Sequence, residues 1–352
     1  MRLAMLVVPD APNNSMPTPP MKMLRTSLTH FATSLVMGMA ALAPGLPSDA
    51  LAAAPQVQQQ GPGIYRVMVG NFEVTALLDG THPFSIDTVV QGMPARTIAD
   101  TLDQDFLKPP VQGSINAYLV NTGSQLVLID AGAGALYGPC CGRLVDNIRA
   151  AGYQPEQVDQ VLLTHLHMDH IGGISANGKM LFPNATVRAS KAEAGYWLDA
   201  ANKPGAPQLL ARFFDDASAA AAPYQAASRF QPFEGEAELV PGITAMQTPG
   251  HTPGHVSYVV RSQGQTLVVW GDIVHVAALQ LRHPDTTVRY DSDAARARRA
   301  RRDLFDEVVR ERALVAAAHI SFPGLGHLRK HGSRYEWVPV NYEAEPGTRA
   351  GH

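Results

Sequence analysis

The stretch THLHMDH, at 164–170, constrains what this chain can become more than any other. Three imidazoles and one carboxylate fall within six residues, directly after the apolar run VLL at 161–163. A strand that enters the core there must end by delivering all four groups to one place. Such groups are stable at a core boundary only when hydrogen-bonded, neutralised or bound to a cation. Side chains alternate along extended backbone, so His165 and His167 point to one side. Asp169 and His170 follow where a helix can begin, and face a second point. Four donors from so short a segment cannot all close on a single tetrahedral ion, and two metal positions fit them better.

Each position still lacks ligands, and later strand ends supply them. His251 lies in the turn-rich TPGHTPGH, Asp272 ends the strand VVWGD, and His319 ends VAAAH. Gly271 removes a side chain beside Asp272. The expected grouping puts His251 with His165 and His167, and His319 with Asp169 and His170. Asp272 then bridges the two positions. Imidazole and carboxylate donors suit zinc first, and admit manganese, cobalt or iron by availability. Two divalent ions are the expected cofactor. Asp130, which ends the strand LVLID near the cluster, reads as a partner that orients a ligating histidine and not as a ligand.

The surrounding pattern sets the fold class. A hairpin spans 64–80 around Gly70-Asn71, and a second pair of strands spans 116–132 around Thr122-Gly123. Helical spacing covers about 142–152, and a buried strand covers 158–164. A second strand-rich block starts near 239, continues at 265–272, and is followed by a helix at 293–312 and a strand at 313–319. Strands in pairs with helices outside, twice over, predict an α/β four-layer αββα sandwich forming one domain over 55–352. Between the halves, 190–235 is rich in alanine and aromatics with helical spacing, and reads as an insertion packing on the site. The arginine-rich helix carries Leu304, Phe305, Val308 and Val309 on one face. It reads as a solvated amphipathic helix capped by Ser292 or Asp293, with a polyanion-binding face as the lesser alternative.

The residues HLHMDH with His251, Asp272 and His319 resemble the metallo-β-lactamase superfamily, and the stretches VNTGSQLVLIDAG, GHTPGH and HISFPGLGH resemble its methyl parathion hydrolase branch, which is related to lactonases. The resemblance runs over about 64–345. It implies a dinuclear metal-dependent hydrolase in which a metal-bridging hydroxide is the nucleophile, with Asp169 and Asp272 moderating the charge of the centre and Asp169 orienting the hydroxide. By matched local motifs it also implies an aromatic substrate pocket of Tyr137, Trp197, Phe213 and Phe214; ordinary packing is the competing account of these four rings. His275 stands where phosphotriesterase members carry leucine, and Tyr290 where they carry a smaller residue. A polar, bulkier mouth suits a planar lactone or aryl ester, so lactonase or arylesterase activity is favoured, with an organophosphate triesterase as the alternative. Dedicated β-lactamases of classes B1 and B3 lack a carboxylate equivalent to Asp272, and a glyoxalase II type thiolester hydrolase needs a basic patch that is not evident. A metal-sequestering protein without turnover is the reading from another class, but storage needs no open, water-bearing centre.

Composition limits the partners. The chain has 352 residues and a formal net charge of −3, which offers no field for capturing a nucleic acid, so a small molecule is the expected partner. Lys22 and Arg25 precede the apolar stretch 31–46, and small residues alternate in 49–56, as an export signal requires. Cleavage is expected near Ala52 to Ala54, giving a periplasmic or secreted protein with no membrane span after processing. Met21 or Met23 is the more ordinary start, with residues 1–20 upstream of it. Cys140 and Cys141 are adjacent and read as structural thiols near a turn, not as a disulfide framework. The apolar insertion is of the kind that supports a homodimer. His255 is expected to hydrogen-bond within its own turn, and His327 either to line the site or to support His319. His82, His283, His331 and His352 read as surface residues.

Overall fold

The computed structural model describes residues 54–345. The export region lies outside them apart from Ala54, as does His352. One compact unit begins at Gln59. No helix among the described residues is long and apolar enough to cross a membrane.

Two sheets carry the fold. The first contains β1 (Ile64–Val69), β2 (Phe72–Phe84), β3 (Val111–Asn121), β4 (Leu126–Ile129), β5 (Gln160–Leu162) and β6 (Thr186–Arg188), hydrogen-bonded in that order. The second contains β7 (Ala237–Val240), β8 (Ile243–Gln247), β9 (Val256–Ser262), β10 (Gln265–Val269), β11 (Leu314–Ala316), β12 (Leu325–His331) and β13 (Arg334–Pro339), likewise in chain order. Pairing is antiparallel except at β4–β5, β5–β6 and β10–β11, where helical crossovers permit parallel neighbours.

Alternation along each strand explains the layers. Tyr118, Val120, Val127 and Ile129 of the first sheet share one buried cluster with Ala245, Tyr258, Val260 and Val269 of the second. Their sequence neighbours Ala117, Leu119, Leu126 and Leu128 face the other way, against α1 (Leu144–Ala150) and the long helix Ala211–Ala226. Val259, Val268 and Val315 of the second sheet face outward against Leu304, Phe305 and Val308 of the helix Ala294–Glu311. Both sheets are therefore buried on both sides, and helices close the outer faces: a four-layer αββα sandwich.

The predicted helix over 293–312 is observed as Ala294–Glu311. Its cap is Asp293 and not Ser292: the Asp293 carboxylate accepts from the backbone N–H groups of Ala295 and Arg296 at 3.0 Å each. One of its arginines is not solvated. Arg301 is buried and donates through Nε to the Ile273 carbonyl at 2.6 Å and through Nη1 to those of Pro284 and Thr286 at 2.9 and 2.6 Å. The segment 190–235 forms a short helix, Lys191–Trp197, and the long helix Ala211–Ala226, which cover the outer face of the first sheet. A third element was not read from the sequence. Helix Ala95–Gln104 and the turn Ala277–Gln280 bury Ile98, Leu102, Val276 and Leu279 with Phe84 and Ile86 in a small separate cluster. A two-stranded ladder between Val90–Gln91 and Thr287–Val288 joins the two segments, forming one wall beside the strand ends.

Candidate metal centre

The strand ends bring the seven proposed ligands together at one buried place. Strand β5 ends at Leu162 and releases His165 and His167, and the short helix Met168–Ile171 starts at once and presents Asp169 and His170. His251 comes from the turn between β8 and β9, Asp272 from the 3-10 turn Gly271–Ile273 after β10, and His319 from the loop after β11. Gly271 has φ +57, and a Cβ there would lie 2.6 Å from His255 Nε2 and 2.9 Å from Thr164, so this turn requires glycine.

Two groups result, each with ligand atoms within 4.8 Å of one another: His165, His167, His251 and Asp272 in one, Asp169, His170 and His319 in the other. Asp272 faces both. Its Oδ2 lies 3.2 Å from His251 Nε2 and 3.7 Å from His165 Nε2, and its Oδ1 lies 3.0 Å from His170 Nε2 and 3.1 Å from His319 Nε2. Asp169 Oδ2 stands 3.5 Å from His319 Nε2.

Outer hydrogen bonds fix which ring nitrogen faces inward. His319 Nδ1–H donates to the Ser114 carbonyl at 2.9 Å, His251 Nδ1–H to Asp291 Oδ1 at 3.0 Å, and His170 Nδ1–H to Asp130 Oδ2 at 2.8 Å. The Thr164 hydroxyl donates to Asp130 Oδ2 at 2.8 Å, so it accepts from His165 Nδ1–H at 3.0 Å. His165, His170, His251 and His319 thus turn Nε2 inward toward Asp272, and His251 Nε2 also lies 3.0 Å from His167 Nδ1, so ring nitrogens and carboxylate oxygens converge where cations would be shared among them. Nε2 of His165, His170 and His319 and Oδ1 of Asp272 are buried without a hydrogen-bond partner, as atoms that ligate a cation would be. The donor set fits two divalent ions of zinc type.

Electrostatics agrees with that reading. Burial, followed by the neighbouring imidazoles, pushes His165 and His167 well below the ordinary histidine value, keeping them neutral as ligands must be. For Asp272 burial favours the acid, but His170, His319, His275 and His165 outweigh it and hold the carboxyl well below its usual range. Burial also opposes charge on His251, His170 and His319, yet the carboxylates around them raise all three, His251 to about 9, so the site favours positive charge among its ligands.

Asp130 occupies the role read for it. It accepts from Thr164 N–H, the Thr164 hydroxyl and His170, and holds φ 57, a left-handed conformation that aspartate tolerates. Asp291, unread from the sequence, does the same for His251. His255 does more than close its own turn. Its Nδ1–H faces the Thr248 carbonyl at 3.1 Å, and its Nε2 accepts the backbone N–H of Asp272 at 3.1 Å. Burial, then the nearby His251, lowers it to about 3, so it stays neutral and keeps that acceptor.

The pocket residues divide. Tyr137, Phe213 and Tyr290 are half-buried at the mouth, with Phe213 edge-on to His167 at 4.8 Å. Trp197 and Phe214 fit the packing account of the two, although Trp197 also stands edge-on to His167 at 4.9 Å. They are 0% and 2% exposed and belong to the core under the site, 4.6 Å apart ring to ring, because the helix Lys191–Trp197 turns that face toward the long helix. Trp197→Phe is expected to cost about 1–2 kcal/mol of stability and leave KM unchanged. Urea unfolding beside substrate titration checks this, and a KM change at constant stability would return the ring to the pocket wall.

His275 is corrected. It lies in the cluster and not at its mouth: 7% exposed, with Nε2 3.1 Å from Asp272 Oδ2 and its ring stacked at 5.7 Å on His319. His82 is not a surface residue. It stacks on Tyr137 at 4.5 Å, while Phe84 meets His319 edge-on at 5.5 Å, so β2 supplies part of the mouth. His327 neither lines the site nor supports His319; its Nδ1 bonds the Ala313 carbonyl at 2.9 Å. Cys140 and Cys141 are free thiols beside the 3-10 turn Gly138–Cys140.

Comparison with known proteins agrees with this geometry. A family model described as the metallo-beta-lactamase superfamily matches residues 110–310. A solved structure described as hydrolase AbOPH in the beta lactamase superfamily is 38% identical, covering 81% of this chain and 100% of that one at TM-score 0.77. AidC, described as a dizinc quorum-quenching lactonase in complex with a product, is 24% identical over 80% of this chain and 99% of its own at TM-score 0.74, a likeness of fold. Among curated proteins, an N-acyl homoserine lactonase of Bacillus cereus is 29% identical over 130 residues, 36% of this chain and 42% of that protein. One of Agrobacterium fabrum is 33% identical over 130 residues, 33% of this chain and 41% of that protein. The chain thus spans about two-fifths of the length of these curated relatives.

Proposed function

The chain belongs to the metallo-β-lactamase superfamily, and from that premise we propose that it is a two-metal hydrolase of lactones or aryl esters, in the branch that also contains methyl parathion hydrolases. The observation that carries the reading is Asp272, whose two oxygens each face a separate set of bare imidazole nitrogens. Bound there, a pair of divalent ions would supply an activated water at neutral pH and a Lewis acid toward the substrate's carbonyl oxygen. The remaining work falls to the chain. His165, His167, His251 and Asp272 would hold one position; Asp169, His170 and His319 would hold the other, with Asp272 shared. Asp169 and Asp272 bring negative charge to a centre of five imidazoles, and Asp169, on the side of Tyr137 and Tyr290, is suited to orient the attacking oxygen.

Substrate choice rests on the mouth. Burial, then Asp169, raises both Tyr137 and Tyr290, so both hydroxyls keep their protons and act as donors to an oxygen-bearing substrate. With His82 stacked on Tyr137, Phe84 beside His319 and Phe213 beside His167, the walls are flat rings, which favour a planar lactone or aryl ester. His275 no longer contributes to that argument, since it lies deeper. The lactonase names among the curated relatives support the same choice. The export signal read before residue 54 puts the reaction in the periplasm or outside the cell. A panel of dihydrocoumarin, an N-acyl homoserine lactone, a phenyl ester and a dimethyl aryl phosphorothioate triester tests the order. The lactone or ester should lead the triester in kcat/KM by roughly tenfold or more, and the reverse order would make the protein a phosphotriesterase.

A further inference from the structure

Glu193 is fully buried, yet neither the metal ligands nor their ring partners use it. It sits at the third position of the helix Lys191–Trp197, behind the N-cap Ser190, in the spacing S-x-x-E where a glutamate ordinarily bonds back to the cap. Here its oxygens go elsewhere. Oε1 accepts the N–H of Leu166, the peptide between His165 and His167, at 3.0 Å. Oε2 accepts the Thr252 hydroxyl at 2.7 Å and the N–H of Gly254 at 2.9 Å, in the turn that carries His251. All three hydrogen bonds therefore come from the two loops that present the three-histidine group. Ser190 reinforces the same junction: its hydroxyl donates to the Gly254 carbonyl at 2.6 Å and accepts from Glu193 N–H at 3.1 Å. The approach is so close that a Cβ on Gly254 would lie 2.2 Å from Glu193 N.

We infer that Glu193 is a positioning residue for the three-histidine half of the centre: one buried carboxylate ties the loop of His165 and His167 to the turn of His251 and so sets the affinity of that metal position. The loops start at different sheets, β5 in the first and the β8–β9 turn in the second, and Glu193 is the acceptor they share. Nothing comparable joins it to Asp169 or His319, so its effect is confined to one of the two positions. The inference rests on the reading of these histidines as metal ligands.

The test is zinc titration of the full metal-depleted chain against a chromophoric chelator, for the parent, Glu193→Gln and Thr252→Val, with thermal unfolding of each metal-free protein. The parent should take two ions; one ion or none would refute the metal-centre reading itself. In Glu193→Gln, which replaces one of the two accepting oxygens with an amide N–H₂ facing a donor of one loop or the other, one of the two association constants should fall by roughly ten- to a hundredfold. The other should move by less than about threefold, and Thr252→Val should weaken the same constant to a smaller degree. A merely structural role would lower metal-free stability and leave the two constants in proportion. Unchanged constants, or an equal fall in both, would overturn the inference, and if Glu193→Gln does not fold, Thr252→Val alone decides it on the same terms.

Discussion

Alanine at position 272 is expected to leave purified protein with less than one ion per chain and to lower kcat/KM by about three orders of magnitude or more. The reason is that no other carboxylate can replace it. Asp169 reaches only the His170 and His319 side, at 3.9 and 3.5 Å, whereas Asp272 approaches four ligand imidazoles through two oxygens. Removing it takes one negative charge from a site of five histidines and two aspartates and leaves inward lone pairs with less to balance a dication. Asp272→Asn separates charge from shape: one side keeps an oxygen, and the other meets an amide donor aimed at bare imidazole nitrogens. It should retain one ion more readily than two. Elemental analysis after dialysis, run beside steady-state kinetics, measures both effects. Two tightly held ions with near-parental rates in the alanine variant would remove the mechanistic basis of the proposed activity.

The convergence of these seven side chains was legible because their spacing has a geometric meaning. Histidines at 165 and 167 share a side of extended backbone, and the remaining ligands each close a strand or follow one at a turn, where glycine and proline mark the chain's reversal. The layers were legible from continuous apolar runs such as Ala117–Tyr118–Leu119–Val120 and Leu126–Val127–Leu128–Ile129, which are buried on both faces and so call for a covering layer on each side of the sheet. What stayed hidden depends on long-range placement. His82 looks like a loop histidine in DGTHPF, and only the length of β2, which runs to Phe84, carries it to the mouth. His275 follows Asp272 by three residues, and the 3-10 turn Gly271–Ile273 folds it back on that carboxylate. Asp291 and Glu193 look like ordinary surface acids, since nothing local reveals that each reaches a loop from another part of the chain. For Trp197, Phe213 and Phe214 the sequence left two accounts open. Apolar rings at helical spacing fit a core as well as a pocket, and the packing of Trp197 on Phe214 of the long helix buries both rings beneath His167.

Asp79 offers the second large effect, on stability and not on chemistry. Its carboxylate is fully buried and accepts four backbone N–H groups: Ala133 and Gly134 on Oδ2 at 2.9 and 3.2 Å, Gly142 and Leu144 on Oδ1 at 3.1 Å each. The loop so gathered bears Tyr137 and both cysteines, and it abuts the ligand helix through Ala131 N–H to the His170 carbonyl at 2.8 Å and Gly173 N–H to the Gly132 carbonyl at 3.0 Å. In Asp79→Ala the donors of Ala133 and Leu144 remain buried without an acceptor, at about 1–3 kcal/mol each, while Gly142 lies at the surface where water can replace the carboxylate. Against this stands the relief of no longer burying a charge, a cost visible in the carboxyl's pKa, which burial raises despite the four donors. The net loss expected is about 3 kcal/mol, or a fall in Tm of roughly 6 °C for a domain of this size. Because the loop sets Tyr137, KM should rise together with the loss of stability, and Cys140 and Cys141 should react faster with a thiol reagent. Thermal unfolding, substrate titration and thiol labelling of one preparation read all three. A variant within about 1 kcal/mol of the parent, with unchanged thiol labelling, would mean that water or another side chain satisfies those donors and that the loop holds its shape without Asp79.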